Sequence, residues 1–241
     1  MKVLAFNGSP RMDKGNTALI LNPFLEGVEE AGADFELFYT SELNINPCQG
    51  RFRCWLKTPG NCFQQDDMQM LYPRLRQADV WVFATPVYVD GVSGPMKNLM
   101  DRTVPLMEPF FEVRDGHCRH PTREGDKGGK IVLVSNCGFW EMDNFDPLLV
   151  HMKAFSTNAA REFAGALLRP HGQALRFMMQ KGIPVDDVFA AAKEAGPQLV
   201  ADGAMSPETL DVVGREVLPL DEYVAAVDSA FQQVLDALGK E

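Results

Sequence analysis

A chain of 241 residues, 46% apolar and 23% charged, holds enough material for one α/β domain with a full core and some elaboration. Its net charge of −10, from 33 acidic against 23 basic residues, argues against nucleic acid or an anionic membrane surface as partner, because no basic face remains to contact phosphates. No stretch approaches the roughly 20 apolar residues of a membrane helix, and no signal-peptide pattern opens the chain, so a cytoplasmic protein without membrane insertion is expected. Five cysteines, at 48, 54, 62, 118 and 137, are an odd count for a disulfide framework and point to reduced thiols or to a redox or metal role.

In chain order, Lys2 to Phe6 reads as a short buried strand, followed by a polar loop, Asn7 to Thr17. A helix is expected from Ala18 to about Ala31, with Leu21, Phe24, Leu25 and Val28 on one face and Pro23 kinking or delaying it. Phe35 to Tyr39 is a second strand, and residues 40–65 form a loop rich in Asn, Pro, Gly and Cys. Asp66 caps a helix to about Gln77 that turns Met68, Leu71, Leu75 and Ala78 inward. Val80 to Ala84 is an uninterrupted apolar run, the kind buried on both faces of a parallel sheet. Ser93 then opens a helix with Pro95 in its first turn and Met96, Leu99, Met100 and Met107 on its apolar side. Asp115-Gly116 marks a hairpin within the turn-rich segment 109–129.

Ile131 to Val134 is a further buried strand, and Asp146-Pro147 starts the next helix, with Leu148, Leu149, Met152 and Phe155 inward. Phe163 to Leu168 is the fifth strand. The remainder reads as helices: one around 172–181, one after Pro184-Val185-Asp186, one opened by Ser206-Pro207-Glu208, and a last from Asp221 to Leu238. That last helix carries Val224, Val227, Phe231, Val234, Leu235 and Leu238 at helical spacing. The chain is expected to form one domain over residues 1–241, with 171–241 as a mainly helical extension. Strands alternating with helices imply right-handed crossovers and an α/β doubly wound parallel sheet. Five strands with a ligand loop after the first fit the flavodoxin-like order 2-1-3-4-5, in which the loops 7–17, 85–93 and 135–140 meet.

Asn7-Gly8-Ser9-Pro10-Arg11 through Gly15-Asn16-Thr17 joins a strand to a helix start, the arrangement that captures a phosphate with free N–H groups and hydroxyls. Taken alone, it reads equally as an ordinary strand-to-helix turn with a polar cap. Gly8 and Gly15 stand too far apart for the dinucleotide fingerprint, and Lys14-Gly15-Asn16-Thr17 has the wrong order for a P-loop. One terminal phosphate is the ligand the loop suits. Tyr88 adds an aromatic face, Pro86 and its neighbours a backbone edge, and Gly138 room for close approach. A flat heteroaromatic ring with a phosphate tail fits these three loops, and FMN is the candidate.

Gly8-Ser9-Pro10-Arg11 with Gly15-Asn16-Thr17, and the run Thr85-Pro86-Val87-Tyr88 through Ser93-Gly94-Pro95-Met96-Lys97 to Asp101-Arg102, resemble the flavodoxin-like NAD(P)H-dependent FMN reductases and iron–sulfur flavoproteins over roughly residues 1–170. The resemblance implies FMN, with Ser9, Arg11, Asn16 and Thr17 on its phosphate, Pro86, Val87 and Tyr88 along its ring, and Cys137 and Gly138 at the other edge. It implies electrons taken from NAD(P)H and passed to a small acceptor such as a quinone, a nitroaromatic or a flavin. The flavin carries the chemistry, so no catalytic side chain is assigned. Backbone N–H groups near 87–89 would stabilise the reduced ring, and Trp140 would flank it beside Tyr88.

Cys48, Cys54 and Cys62, followed by Asp66-Asp67-Met68, lie where that family carries its cysteine loop, but Arg51 stands at the second cysteine of its cluster motif. Three thiolates and a cation are a poor cradle for a four-iron cluster. Cys48, Cys54 and Cys62 remain the candidate metal ligands, while no cluster is expected. His117-Cys118-Arg119-His120 reads as solvated surface and Asp66-Asp67 as a helix cap. The alternatives to an FMN-dependent oxidoreductase are an iron–sulfur flavoprotein-type electron-transfer protein and a non-catalytic flavin-binding protein. A homo-oligomer is expected, because the site beside Tyr88 is open on one side and the C-terminal helices offer apolar surface.

Overall fold

A computed structural model describes residues 1–239. In chain order the elements are β1 (Lys2–Asn7), α1 (Asn16–Glu30), β2 (Asp34–Tyr39), α2 (Arg53–Leu56), α3 (Met68–Gln77), β3 (Val80–Pro86) and α4 (Gly94–Asp101). A two-stranded hairpin follows, β4 (Glu112–Arg114) and β5 (His117–Arg119), then β6 (Lys130–Asn136), α5 (Asp146–Asn158) and β7 (Glu162–Arg169). The chain ends in α6 (Gly172–Gln180), α7 (Asp186–Asp202), α8 (Pro207–Gly214) and α9 (Leu220–Leu238).

The main sheet is parallel, in the order β2-β1-β3-β6-β7, which is the flavodoxin-like doubly wound arrangement expected. β3 is buried at every residue and β6 at all but its first, so both central strands read as near-continuous apolar runs. Two apolar layers form against the sheet. One packs Val3, Ala5, Val82 and Val132 under α1 and α7, and the other packs Leu4, Phe6, Trp81 and Phe83 under α3, α4 and α5. α1 and α7 approach so closely that a Cβ on Gly27 would strike the Lys193 carbonyl, and one on Gly196 the backbone of Phe24 and Val28.

Several boundaries differ from expectation. α1 begins at Asn16 rather than Ala18, because Gly15 is extended and takes the cap position (φ −78°, ψ 160°). The helix runs through Pro23 without delay. α4 stops at Asp101, so Met107 lies outside it, bridged to Thr122. The hairpin turns at Asp115-Gly116, both in the left-handed region, as a tight two-residue turn requires. α9 forms over the expected span, but Tyr223 is its one buried residue, and Phe231, Val234, Leu235 and Leu238 face outward.

Asp66 does more than cap a helix. Its carboxylate takes a two-point ion pair from Arg102, with N···O distances of 2.7 and 3.0 Å, both side chains being fully buried. Arg102 Nη1 also donates to the Asn46 carbonyl at 2.7 Å. Burial pushes the Asp66 carboxyl up, and the Arg102 and Asn46 hydrogen bonds outweigh it, leaving it below the ordinary carboxylate value. Together with Asn44, whose N–H donates to Asp67 at 2.7 Å, this pair clamps the two ends of the cysteine-bearing segment.

Candidate functional site

The loops after β1, β3 and β6 converge at the carboxyl end of the sheet on a cleft of about 200 Å3. Ser9, Arg11, Asn16, Thr17, Pro86, Val87, Tyr88, Cys137 and Gly138, the nine residues singled out in the sequence, all line it. Asn136 and Gln173 line it as well and were not anticipated.

Buried hydrogen bonds tie the three loops to one another. Ser93 Oγ donates to the Gly8 carbonyl at 2.7 Å, and Thr85 Oγ1 accepts from the Ser93 N–H at 3.0 Å. Ser135 Oγ donates to the Thr85 carbonyl at 2.7 Å. Asn136 is the hub, accepting from Thr17 Oγ1 at 2.5 Å through its side chain and from the Val87 N–H at 2.9 Å through its carbonyl. A polar residue ending an apolar strand was the one signal for it in the sequence. Arg176 reaches from α6 to Asn16 Oδ1 (3.1 Å) and to the Lys14 carbonyl (2.9 Å), and Gln173 accepts from the Asn16 amide at 3.1 Å.

The α1 end of the cleft is built to receive an anion. No side chain caps that N-terminus and no acidic residue lies in its first turn. Ser9 and Thr17 bring buried hydroxyls, while Arg11 stands exposed at the rim. Gly15 has no room for a side chain, since a Cβ there would collide with Ser9 Oγ. At the opposite wall a Cβ on Gly138 would meet nothing, because that position faces open space.

Two expectations about the ring edge are corrected. Of the N–H groups at 87–89, those of Val87 and Tyr88 already bond the carbonyls of Asn136 and Gly91, both at 2.9 Å, so they are spent within the fold and the expectation narrows to Val89. The turn they support holds Val89 and Asp90 in the left-handed region, at φ 47° and 61°, which is strained for a β-branched residue. Trp140 does not line the cleft. Its indole N–H donates to the Leu218 carbonyl at 2.8 Å and its ring stacks on His171 at 5.9 Å. It faces a separate cavity of about 530 Å3, whose walls include Glu141, Asp143, Asp211 and Glu216. That cavity is larger, but its four carboxylates outnumber its one guanidinium, Arg215, which is already paired with Asp187, and the converging loops make the smaller cleft the candidate site.

The backbone of the 137–140 wall is held from outside the sheet. The carbonyls of Cys137, Gly138, Phe139 and Trp140 accept from the Gly172 N–H, the Tyr223 hydroxyl, the His171 N–H and the His171 ring respectively. His171 is fully buried, and burial and the neighbouring Arg169 push its pKa down to about 4, so the ring is neutral near pH 7. Neutral His171 donates from Nδ1 to Trp140 and accepts at Nε2 from Arg169 (3.1 Å) and the Val217 N–H (3.3 Å). Burial also pushes the Cys137 thiol up, and its Sγ–H points at the Phe139 carbonyl, 3.3 Å away. An uncharged, bonded thiol is a wall residue rather than a nucleophile.

The cysteine loop lies apart from this wall. Cys48 is exposed, Cys54 and Cys62 are half-buried, and among the described residues no three potential metal ligands share one point. Arg51 and Arg53 both lie over the Phe63 ring. His120, read in the sequence as solvated, instead packs between Trp55 and Phe111, with ring centroids 4.7 and 4.9 Å away.

Residues 1–118 match the family model described as NADPH-dependent FMN reductase. An iron–sulfur flavoprotein of Methanocaldococcus jannaschii is 38% identical over 110 residues, covering 46% of this chain and 55% of that protein. One of Archaeoglobus fulgidus is 35% identical over 138 residues, covering 57% and 56%. The chain thus spans little more than half the length of these curated relatives. An NAD(P)H:quinone oxidoreductase from Methanothermobacter marburgensis superposes with a TM-score of 0.57 at 16% identity, over 83% of this chain and 96% of that one, a likeness of fold. The family match covers β1 through the hairpin, and therefore the first two loops of the cleft, while the 137–140 wall and its supports lie beyond it.

Proposed function

We propose that the cleft holds FMN and that the protein is an FMN-dependent oxidoreductase, taking electrons from NAD(P)H and passing them to a small acceptor such as a quinone, a nitroaromatic or a flavin. One observation carries this reading: the uncapped, acid-free start of α1, the exposed Tyr88 and the open Gly138 wall line the same cleft. Ser9 and Arg11 would bind the phosphate through their side chains, and Asn16 and Thr17, whose side chains donate to Gln173 and Asn136, through the uncapped first-turn N–H groups of α1. Pro86, Val87 and Tyr88 would line one face of the ring, and Cys137 and Gly138 its other edge. With the Val87 and Tyr88 N–H groups occupied, those residues shape the ring pocket rather than donate to it. Bound FMN supplies hydride acceptance and onward electron transfer, and the protein supplies position. In this reading residues 1–241 form one FMN-binding domain with a helical extension from 171, and the protein is a cytoplasmic homo-oligomer.

The test is the visible spectrum of the purified or FMN-loaded protein, before and after anaerobic addition of excess NADH or NADPH. The flavin band is expected to bleach. A flavin that stays oxidised with both nucleotides removes the reductase reading and leaves a flavin-binding protein.

The names of the relatives favour a second reading, an iron–sulfur flavoprotein-type electron-transfer protein. The donor set does not fit it, since Arg51 cannot coordinate iron and adds a charge where a thiolate is needed. Iron and sulfide analysis after anaerobic reconstitution decides between them. Wild type is expected to hold less than one cluster per chain and Arg51→Cys to gain a four-iron cluster. Stoichiometric iron and sulfide in the wild type would restore the second reading.

A further inference from the structure

α9 is an unfinished helix pairing. Leu220, Val224, Val227, Phe231, Val234 and Leu238 follow alternating steps of four and three, the narrow seam by which a helix seats against a partner rather than the broad stripe of a helix covering its own core. The chain itself leaves that seam uncovered. Tyr223 anchors the start of α9 at Gly138, and beyond it Phe231 is 67% and Leu238 61% exposed. The helix carries Asp221, Glu222, Asp228 and Asp236 and no base.

A surface of opposite charge lies on the cysteine loop. The hairpin packed against it is mixed, with Glu112 and Asp115 against Arg114 and Arg119, and adds apolar area rather than charge. Residues 47–65 hold Arg51, Arg53 and Lys57 and no acid, in a chain of net charge −10. All three cations are exposed, and among the described residues none is held in an ion pair. Between them stand apolar side chains left in solvent: Phe52, Leu56 (75% exposed), Phe111 and Val113. The Trp55–His120–Phe111 stack makes loop and hairpin one continuous patch.

We propose that α9 of one copy of this chain seats on the cationic, aromatic loop-and-hairpin patch of a second copy, and reciprocally. The seam supplies apolar area and the acids of α9 meet Arg51, Arg53 and Lys57, so contact and charge agree on one occupant. Pairing α9 with another α9 would satisfy the seam but set four acids against four, which disfavours it. A two-fold dimer makes the contact twice, each chain contributing once as helix and once as patch. The cysteine loop follows β2 at the carboxyl end of the sheet, and α9 is tied through Tyr223 to Gly138 of the cleft wall at that same end. This deepens the homo-oligomer reading above and is independent of the flavin.

Sedimentation equilibrium of the full chain tests it. Wild type is expected at twice the 26.8 kDa chain mass. Phe231→Asp should raise the dimer dissociation constant ~100-fold, and the pairs Asp228→Lys with Asp236→Lys, or Arg53→Glu with Lys57→Glu, ~10-fold each. All four charge reversals in one chain should recover wild-type affinity to within ~3-fold. Circular dichroism of each variant controls for folding, which these exposed positions should leave intact. A monomeric wild type overturns self-association and this surface together. A dimer indifferent to Phe231→Asp overturns the α9 surface alone. Loss with Phe231→Asp but no compensation between the reversals overturns the loop as its receptor.

Discussion

The cleft loops and the cysteine loop are both polar, glycine-bearing connections at the same end of one sheet, yet they are held by different partners. The cleft loops are bonded residue to residue through their middles, Gly8 to Ser93, Thr85 to Ser135, and Thr17 and Val87 to Asn136. The cysteine loop is bonded instead to α3 and to the segment after α4, at its ends by Asp66–Arg102 and Asn44–Asp67. Between them Arg76 bonds the Gly60 carbonyl, Gln69 the Cys62 and Gln64 carbonyls and the Trp55 indole the Val104 carbonyl, while Arg51, Phe52, Arg53 and Lys57 face solvent. A loop bonded along its length presents donors in fixed positions, as a small ligand requires. Arg51 stands exposed on the cysteine loop, over the Phe63 ring, and can be exchanged without disturbing the sheet or the cleft.

Cutting the clamp should have the largest effect. Asp66→Asn leaves the Arg102 guanidinium buried without its charge partner and is expected to cost about 3–5 kcal/mol in urea unfolding. The same pair sets a pH dependence. Because the Asp66 carboxyl is lowered in the folded state, its contribution is full above its unfolded value of 3.8 and is lost as pH falls through the lower folded value. Wild type should therefore lose stability over that acid window more steeply than Asp66→Asn. Parallel acid profiles would break the clamp account.

Crowding the cleft should come next, and it should affect ligand rather than fold. Gly15→Ala puts a methyl against Ser9 Oγ and is expected to weaken FMN binding about ten-fold or more, roughly 1.4 kcal/mol, by fluorescence titration. A third effect reaches the cleft from outside it. Tyr223→Phe removes the hydroxyl that bonds the Gly138 carbonyl while keeping the ring beside His171, and should cost about 0.5–1.5 kcal/mol of FMN affinity. A shift confined to apoprotein melting, with FMN affinity unchanged, would reduce Tyr223 to a packing residue. The smallest change is a gain. Val89→Gly relieves a left-handed β-branched residue costing about 1–2 kcal/mol and returns part of that as unfolded-chain entropy, a net stabilisation near 0.5 kcal/mol by thermal melting.

What was legible in the sequence was local. The apolar runs of β3 and β6, the Ser93-Gly94-Pro95 helix start and the Asp115-Gly116 turn each carry their signal within a few residues. Nine of the eleven residues lining the cleft were named from the resemblance of their motifs, and the inferred strand order brings their loops together, whereas Asn136 and Gln173 carried no such motif. The misses are pairings between distant parts of the chain. Asp66 finds Arg102 36 residues away, and the Trp140 indole finds Leu218 78 residues away, so neither partner is marked by spacing. α9 shows the same limit, since its period announces a buried face but not what buries it.

The central claim is that the α1 end of the cleft recognises a single phosphate on a flavin ring. Titrating apoprotein with FMN and, separately, with riboflavin, which lacks only the phosphate, tests it directly. One FMN is expected to bind per chain and riboflavin at least ~100-fold more weakly, the loss of a charge-assisted phosphate contact set. Equal affinity for the two, or no binding of either, would contradict it.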